Sequence, residues 1–181
     1  MKTLVFVTQN QNKVDDAKRL LPNFQIDHVD FEIPEIQSLS SKEIIEHKLK
    51  FAYTKIKSPC FVMDVGLYID ALNGFPGPLV KWFYRQVGAN TICQIASMLG
   101  NEDCHWTTML GYFDGTNEHF FEETVNGEIA ESPRGTAGYD WDDIFIPKGL
   151  NKTFAEMKFE EKQSYAVTKK ILEKLRKFLE A

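Results

Sequence analysis

The chain changes its hydrophobic period twice near its N-terminus, and that change limits what it can fold into. Residues 3–8 (TLVFVT) are a compact apolar run of strand type, stopped by the polar stretch QNQN. From about 11 to 21, Val14, Ala17, Lys18, Leu20 and Leu21 recur at helical spacing, and Pro22-Asn23 ends the run. FQIDHV at 24–29 then reads as a short strand. Strand, helix and strand in immediate succession predict a mixed α/β protein.

The rest of the chain continues in the same manner. A helix is expected over 41–57, opened by Ser40 or Ser41 with Glu43 in its first turn, and with Ile44, Ile45, Lys48, Leu49 and Ala52 on its buried side. CFVMDVGLYIDAL at 60–72 predicts a strand, a turn and a second short strand, and GFPGP at 74–78 a rigid turn. Residues 79–99 predict two helices broken near Gly88. The stretch 104–126 predicts an antiparallel pair turning at Asp114-Gly115-Thr116-Asn117. A strand or loop follows from Gly127 to Pro133, then a Gly-, Asp- and aromatic-rich loop over 134–149, then a final amphipathic helix over about 159–180.

Composition narrows the function classes. With 181 residues, 43% of them hydrophobic, the chain suits a single domain with a real core. Fourteen Phe, six Tyr and three Trp exclude a disordered chain. A net charge of −5 argues against a general nucleic-acid backbone binder, while leaving room for a small phosphorylated ligand held by a few cations. No run approaches the ~18 apolar residues of a membrane span. The N-terminal run, Leu4 to Thr8, lacks a cleavage site, so no secretory signal is expected. Cys60, Cys93 and Cys104 follow no CxxC or Cys/His pattern and are expected to be reduced thiols in a cytoplasmic protein.

Five segments could carry chemistry. Thr8, Asn10 and Lys13 sit where a strand feeds a helix N-terminus, a place suited to phosphate oxygens; simple helix capping by Asn10 or Asn12 is the alternative. Glu35, after Pro34, is a metal-ligand candidate or a solvated loop residue. Asp64, flanked by Val62, Met63, Val65 and Leu67, must be paired, cation-bound or shifted in pKa, unless it is a turn residue. Lys81 could reach a phosphate or lie on the surface over a buried Trp82. Tyr139, Asp140, Trp141, Asp142 and Asp143 could offer an aromatic platform and acceptors to a nucleobase, form a metal site, or make a solvated acidic loop.

In this order, the segments resemble the inosine triphosphate pyrophosphatase family, the Ham1-like nucleoside triphosphate pyrophosphatases, over nearly the whole chain. T-x-N-x-x-K falls on Thr8, Asn10 and Lys13, the P-E pair on Pro34-Glu35, and the phosphate-contacting helix lysine on Lys48. The acidic strand motif falls on Met63, Asp64 and Val65, and G-x-P-G on Gly74, Pro76 and Gly77, followed by Lys81-Trp82-Phe83. P-R-G is Pro133-Arg134-Gly135, and F-G-[YW]-D-P-x-F falls on residues 139–145. A-E-M is Ala155-Glu156-Met157, with Lys162 after it. The resemblance implies a Ham1/Maf-like α/β fold: a long twisted mixed sheet with flanking helices, two lobes and a central cleft. It implies Mg²⁺-dependent hydrolysis of a nucleoside triphosphate to the monophosphate and pyrophosphate, in a homodimer. Asp64 would be the catalytic carboxylate and, with Glu35, a metal ligand. Thr8, Asn10, Lys13, Lys48, Lys81, Tyr139, Trp141, Asp142 and Lys162 would bind substrate.

The chain departs from the family pattern in places. Met63 replaces an acid, Val65 a hydroxyl residue, Asp140 a glycine and Asp143 a proline. Counted from Lys162, the base-reading S-H-R falls on Ala166, Val167 and Thr168. The expectation is therefore a base preference altered from inosine or xanthosine, with Asp140 and Asp143 as acceptors for an exocyclic amine. A catalytically weakened nucleotide-binding module, or a hydrolase of another phosphorylated nucleotide, is the alternative.

Overall fold

The expected N-terminal alternation is present as β1 (Lys2–Val7), α1 (Gln11–Leu20) and β2 (Phe24–Val29). The computed structural model describes residues 2–138, 140–158, 161, 162, 165 and 167–181, and of Lys2, Asn12 and Asp140 the backbone. Then come α2 (Ser41–Ile56), β3 (Cys60–Ile69), β4 (Pro76–Gly77), α3 (Val80–Val87), α4 (Ala89–Leu99), β5 (Asp103–Phe113), β6 (Glu118–Ile129), β7 (Phe145–Pro147) and α5 (Val167–Glu180). Among the described residues seven strands form one mixed sheet in the order β2-β1-β3-β5-β6-β7, with β4 paired to β3. β1 runs parallel to both β2 and β3, while β4 on β3 and β7 on β6 are antiparallel.

The chain divides into two compact units. The first comprises residues 1–64, 108–123 and 167–181, the second residues 65–107 and 124–166.

Strand periodicity organises the first unit. Alternate side chains of a strand face opposite sides of its sheet. Leu4 and Phe6 of β1, Ile26 of β2, and Phe61 and Met63 of β3 share one core with Val14 and Ala17 of α1 and Ile171, Leu172 and Leu175 of α5. Phe6 and Phe61, register partners, stack with ring centroids 4.2 Å apart. The other parity, Val5 and Val7 of β1 with Cys60 and Val62 of β3, packs on Ile45, Leu49 and Ala52 of α2. Ser40 caps α2 by accepting the Glu43 N–H at 3.3 Å, as its sequence expects. The helix runs so close to β5 that a Cβ on Gly111 would lie 2.3 Å from Ile45 Cγ2 and 2.7 Å from Leu49 Cδ1.

The second unit is built around Leu67 and Ile69 of β3, Val80 of α3, Ile92, Cys93 and Ala96 of α4, and Ile129, Trp141, Ile144, Phe145 and Phe154. Two expectations are corrected here. Residues 60–69 are one unbroken strand rather than strand, turn and strand. Gly66 serves packing: a Cβ there would come within 2.9 Å of the Tyr68 ring and 3.0 Å of the Gly77 carbonyl carbon. Nor is 134–149 an open loop, since it contains a 3-10 turn at Asp140–Asp143 and β7, whose Ile146 is paired with Glu128. The aromatics that suggested a loop are largely interior. The break at Gly88 and the 114–117 turn fall where expected, with Asp114 N–H donating to Asn117 O. The final helix is described from Val167; the earlier part of its expected span includes positions outside the described residues. All three cysteines are buried and unbridged.

Gly111→Ala should destabilise the protein by about 1–3 kcal/mol, the usual cost of forcing extra volume into a packed core. Urea unfolding would show a lower midpoint at unchanged slope.

Candidate functional site

The loop between β1 and α1 is held by its own side chains. Thr8 N–H donates to Val29 O at 3.3 Å, and His28 Nε2 donates to Thr8 O at 2.6 Å, since a carbonyl can only accept. Asn10 N–H donates to Thr8 Oγ1 at 3.1 Å, and Asn10 Oδ1 accepts the Lys13 N–H at 3.3 Å. Asn10 is therefore the helix cap, as the alternative reading of this segment expects. No acidic residue lies in the first turn of α1, so no carboxylate there offsets the positive end of its dipole. The His28 contact is one that sequence reasoning missed; nothing in FQIDHV distinguishes it.

A largely buried charge cluster of the first unit forms at Lys48. Residues 44, 45, 48, 49 and 52 are the buried stripe of α2, so Lys48 is carried inward with its apolar neighbours. Its side chain is only 10% exposed, and an ammonium there needs compensation. Asp64 supplies it. Positions 60, 62 and 64 of β3 share the face that α2 covers, and Asp64 Oδ1 lies 2.7 Å from Lys48 Nζ. Glu35, just after Pro34, brings Oε1 to 3.0 Å from the same ammonium. Burial pushes the Lys48 pKa down, but Asp64 first and Glu35 second more than offset it, and the group ends above the ordinary lysine value. One cation and two carboxylates sum to a net charge of −1.

Met63 does not belong to this cluster. It is 7% exposed and sits in the core on the opposite face of β3, as strand parity requires. Its substitution for an acid therefore takes no carboxylate from Lys48.

In the second unit the candidates have mixed fates. Lys81 is exposed on α3, as is Trp82 beside it, so the tryptophan expected to be buried there is not. Trp141 is 6% exposed and packs against Trp106, with ring centroids 5.6 Å apart. This corrects its reading as an open aromatic platform: it is part of the core. Asp142 is 1% exposed and pairs with Lys162 Nζ, which also lies 5.2 Å from the Phe154 ring centroid. Asp142 is thus the counter-ion of Lys162 rather than a presented acceptor. Asp143 is likewise engaged, with both oxygens 2.9 Å from the Tyr84 hydroxyl. Tyr139, Ala166 and the side chain of Asp140 lie outside the described residues. Val167 is buried within α5 at 5% exposure.

Two motifs quoted from the sequence meet here. Gly135, at φ 86°, passes so close to Ala155 that a Cβ would lie 2.4 Å from the Ala155 carbonyl carbon. Arg134 Nε lies 3.3 Å from Glu156 Oε2, and Thr153 Oγ1 donates to Arg134 O at 2.8 Å. P-R-G and A-E-M are thus two halves of one junction.

A sequence match to the Ham1 family runs over residues 4–178, and the chain belongs to that family. It is 37% identical to an inosine triphosphate pyrophosphatase of Schizosaccharomyces pombe, covering all of this chain and 97% of that one. It is 36% identical to a dITP/XTP pyrophosphatase of Thermococcus kodakarensis, over 88% of this chain and 87% of the relative. The solved Ham1 protein of Staphylococcus aureus superposes with a TM-score of 0.82 at 27% identity, covering 99% and 98% of the two chains.

The raised Lys48 pKa predicts a stability profile. Its contribution is complete below about pH 10 and is lost as pH climbs through the folded-state value, because the unfolded lysine releases its proton first. In Asp64→Asn the main charge raising that value is gone, so the alkaline decline should begin at lower pH. Urea midpoints over an alkaline pH series check this; superimposable declines in the two proteins would contradict the pairing.

Proposed function

We propose that the chain is a nucleoside triphosphate diphosphatase that hydrolyses a non-canonical purine nucleoside triphosphate, of the inosine and xanthosine class, to the monophosphate and pyrophosphate. The observation that carries this reading is the Glu35–Lys48–Asp64 cluster, in a chain whose relatives are named for that reaction. In this reading the whole chain, residues 1–181, acts as one ITPase-like domain.

The charge count explains what such a site requires. A net negative cluster repels a polyphosphate unless a cation joins it. Among the described residues no group of three or more His, Cys, Asp and Glu side chains could hold a metal. Two carboxylates nevertheless suit Mg²⁺, which keeps several waters and takes its remaining oxygens from substrate phosphates. Glu35 and Asp64 would be those two ligands. Mg²⁺ bound there would neutralise phosphate charge and polarise the phosphorus under attack. Asp64 also orients the water and accepts its proton. Lys48 holds Asp64 and Glu35 in place and offers its charge to the phosphates. Thr8, Asn10 and Lys13 add donors at the positive end of α1. In the second unit Lys81 is assigned to phosphate, and Lys162, steadied by Asp142, to the base or phosphate.

An altered base preference has no support in the relatives, which are named for inosine and xanthosine nucleotides. Val167, one position on which that expectation rested, is a buried side chain of α5 and so is not placed to read a base. Asp143, the proposed partner of an exocyclic amine, is already held by Tyr84. Among the described residues no helix is long and apolar enough to cross a membrane; the cytoplasmic setting is part of this proposal. Exposed Trp82, Met98 and Leu99 suit the proposed homodimer contact.

Pyrophosphate release from a panel of inosine, deoxyinosine, xanthosine, adenosine and guanosine triphosphates tests the reading. Inosine or xanthosine nucleotides should turn over fastest, chelation of divalent ions should abolish turnover, and Asp64→Asn should lower kcat by about 10²-fold or more. Nucleotide binding without turnover in the wild type would favour a binding module. Release of orthophosphate instead would replace the proposed reaction by a phosphatase.

A further inference from the structure

Asp143 stands where the resemblance places a proline. A proline holds its backbone by its ring, whereas an aspartate has no such restraint and must be fixed by its partners. Here the partners are evident. The Tyr84 hydroxyl of α3 lies 2.9 Å from each carboxylate oxygen, and Asp143 O accepts the Arg134 N–H at 2.9 Å. Both side chains are half-buried. The turn carrying Asp143 is closed by Ile144 N–H donating to Trp141 O at 3.2 Å, and Ala130 N–H donates to Ile144 O at 2.8 Å. The residue just before Asp143 is Asp142, the buried counter-ion of Lys162.

We propose that Tyr84 is a positioning residue for the nucleotide site: its hydroxyl, by clamping Asp143, replaces the restraint of the missing proline and holds the 140–143 turn so that Asp142 sets the ammonium of Lys162. The inference rests on the proposed function, in which Lys162 meets the nucleotide. The single Tyr84 hydroxyl proton is shared between the two carboxylate oxygens at 2.9 Å each, and its loss frees a half-buried carboxylate to seek other donors. The turn follows Asp143, and Asp142 moves with the turn. Tyr84 touches no reacting atom in this account. Its loss should weaken substrate binding and leave the chemical step nearly unchanged.

Tyr84→Phe keeps the ring and removes only the hydroxyl. Its KM for inosine triphosphate should rise by about 3–10-fold, with kcat within about 2-fold of wild type. Asp143→Ala should do the same, and the double variant should be no worse than either single one, because both remove one contact. The decisive variant is Tyr84→Phe with Asp143→Pro, which supplies the family's proline and should return KM to within about 2-fold of wild type. A merely structural tyrosine would lower the melting temperature or the active fraction and leave KM untouched. An unchanged KM in both single variants, additive losses in the double, or failure of the proline to rescue would each overturn the proposal. If Tyr84→Phe does not fold, Asp143→Ala and Asp143→Pro in the wild-type background decide: the alanine should raise KM and the proline should not. Wild-type protein that releases no pyrophosphate from any nucleotide would overturn the proposed function instead, so the two failures are distinct.

Discussion

A buried ammonium is the constraint on which the first unit turns. Lys48 occupies a position of α2 that the helix period assigns to the interior, in the same buried stripe as Ile45, Leu49 and Ala52. A charge in that position is expensive unless it is paired. Asp64 on β3 and Glu35 on the loop after β2 provide the pairing, so one lysine ties together three successive elements of the chain. The same arrangement leaves an excess of negative charge. Asp64 is the buried partner, while the Glu35 side chain is 54% exposed and completes the pairing from the solvent side.

Around that point the hydrophobic pattern does the rest. Each residue of β1 and β3 has its face set by strand parity, and the two faces are claimed by different helices. This is why Asp64 and Met63, neighbours in the chain, have opposite environments. One meets the lysine of α2, and the other lies among the aromatic and aliphatic side chains beneath α1 and α5. A family motif with an acid at both positions therefore need not be kept entire for the Lys48 cluster to persist.

Much of this is legible in the sequence, and the parts that are not fail for identifiable reasons. The strand at 24–29, the cap at Ser40, the buried stripe of α2 with Lys48 in it, and the break at Gly88 follow from period, capping chemistry and glycine. The continuity of β3 is missed because Gly66 looks like a turn, while its reason is the Tyr68 ring and the Gly77 backbone beside it. Trp141 and Asp142 read as exposed recognition residues because acidic and aromatic residues alternate there, as they would in a loop. In the fold the tryptophan fills the core and the aspartate answers a lysine twenty residues on. The contacts of His28 and Tyr84 are invisible in the sequence because each bonds a partner far along the chain, and a lone histidine or tyrosine carries no local signature.

The interleaving of the two units has a consequence for how this chain can tolerate change. The polypeptide passes between them within three strands, at Asp64–Val65 in β3, Thr107–Thr108 in β5 and Glu123–Thr124 in β6. Removing a single residue just after Asp64 would leave the acid facing its lysine while inverting the inward and outward sides of Leu67 and Ile69, since strand side chains alternate. Length variation should therefore gather in the connecting segments and be shunned at these three crossings, where one lost residue would undo a core that lies on the far side of the break.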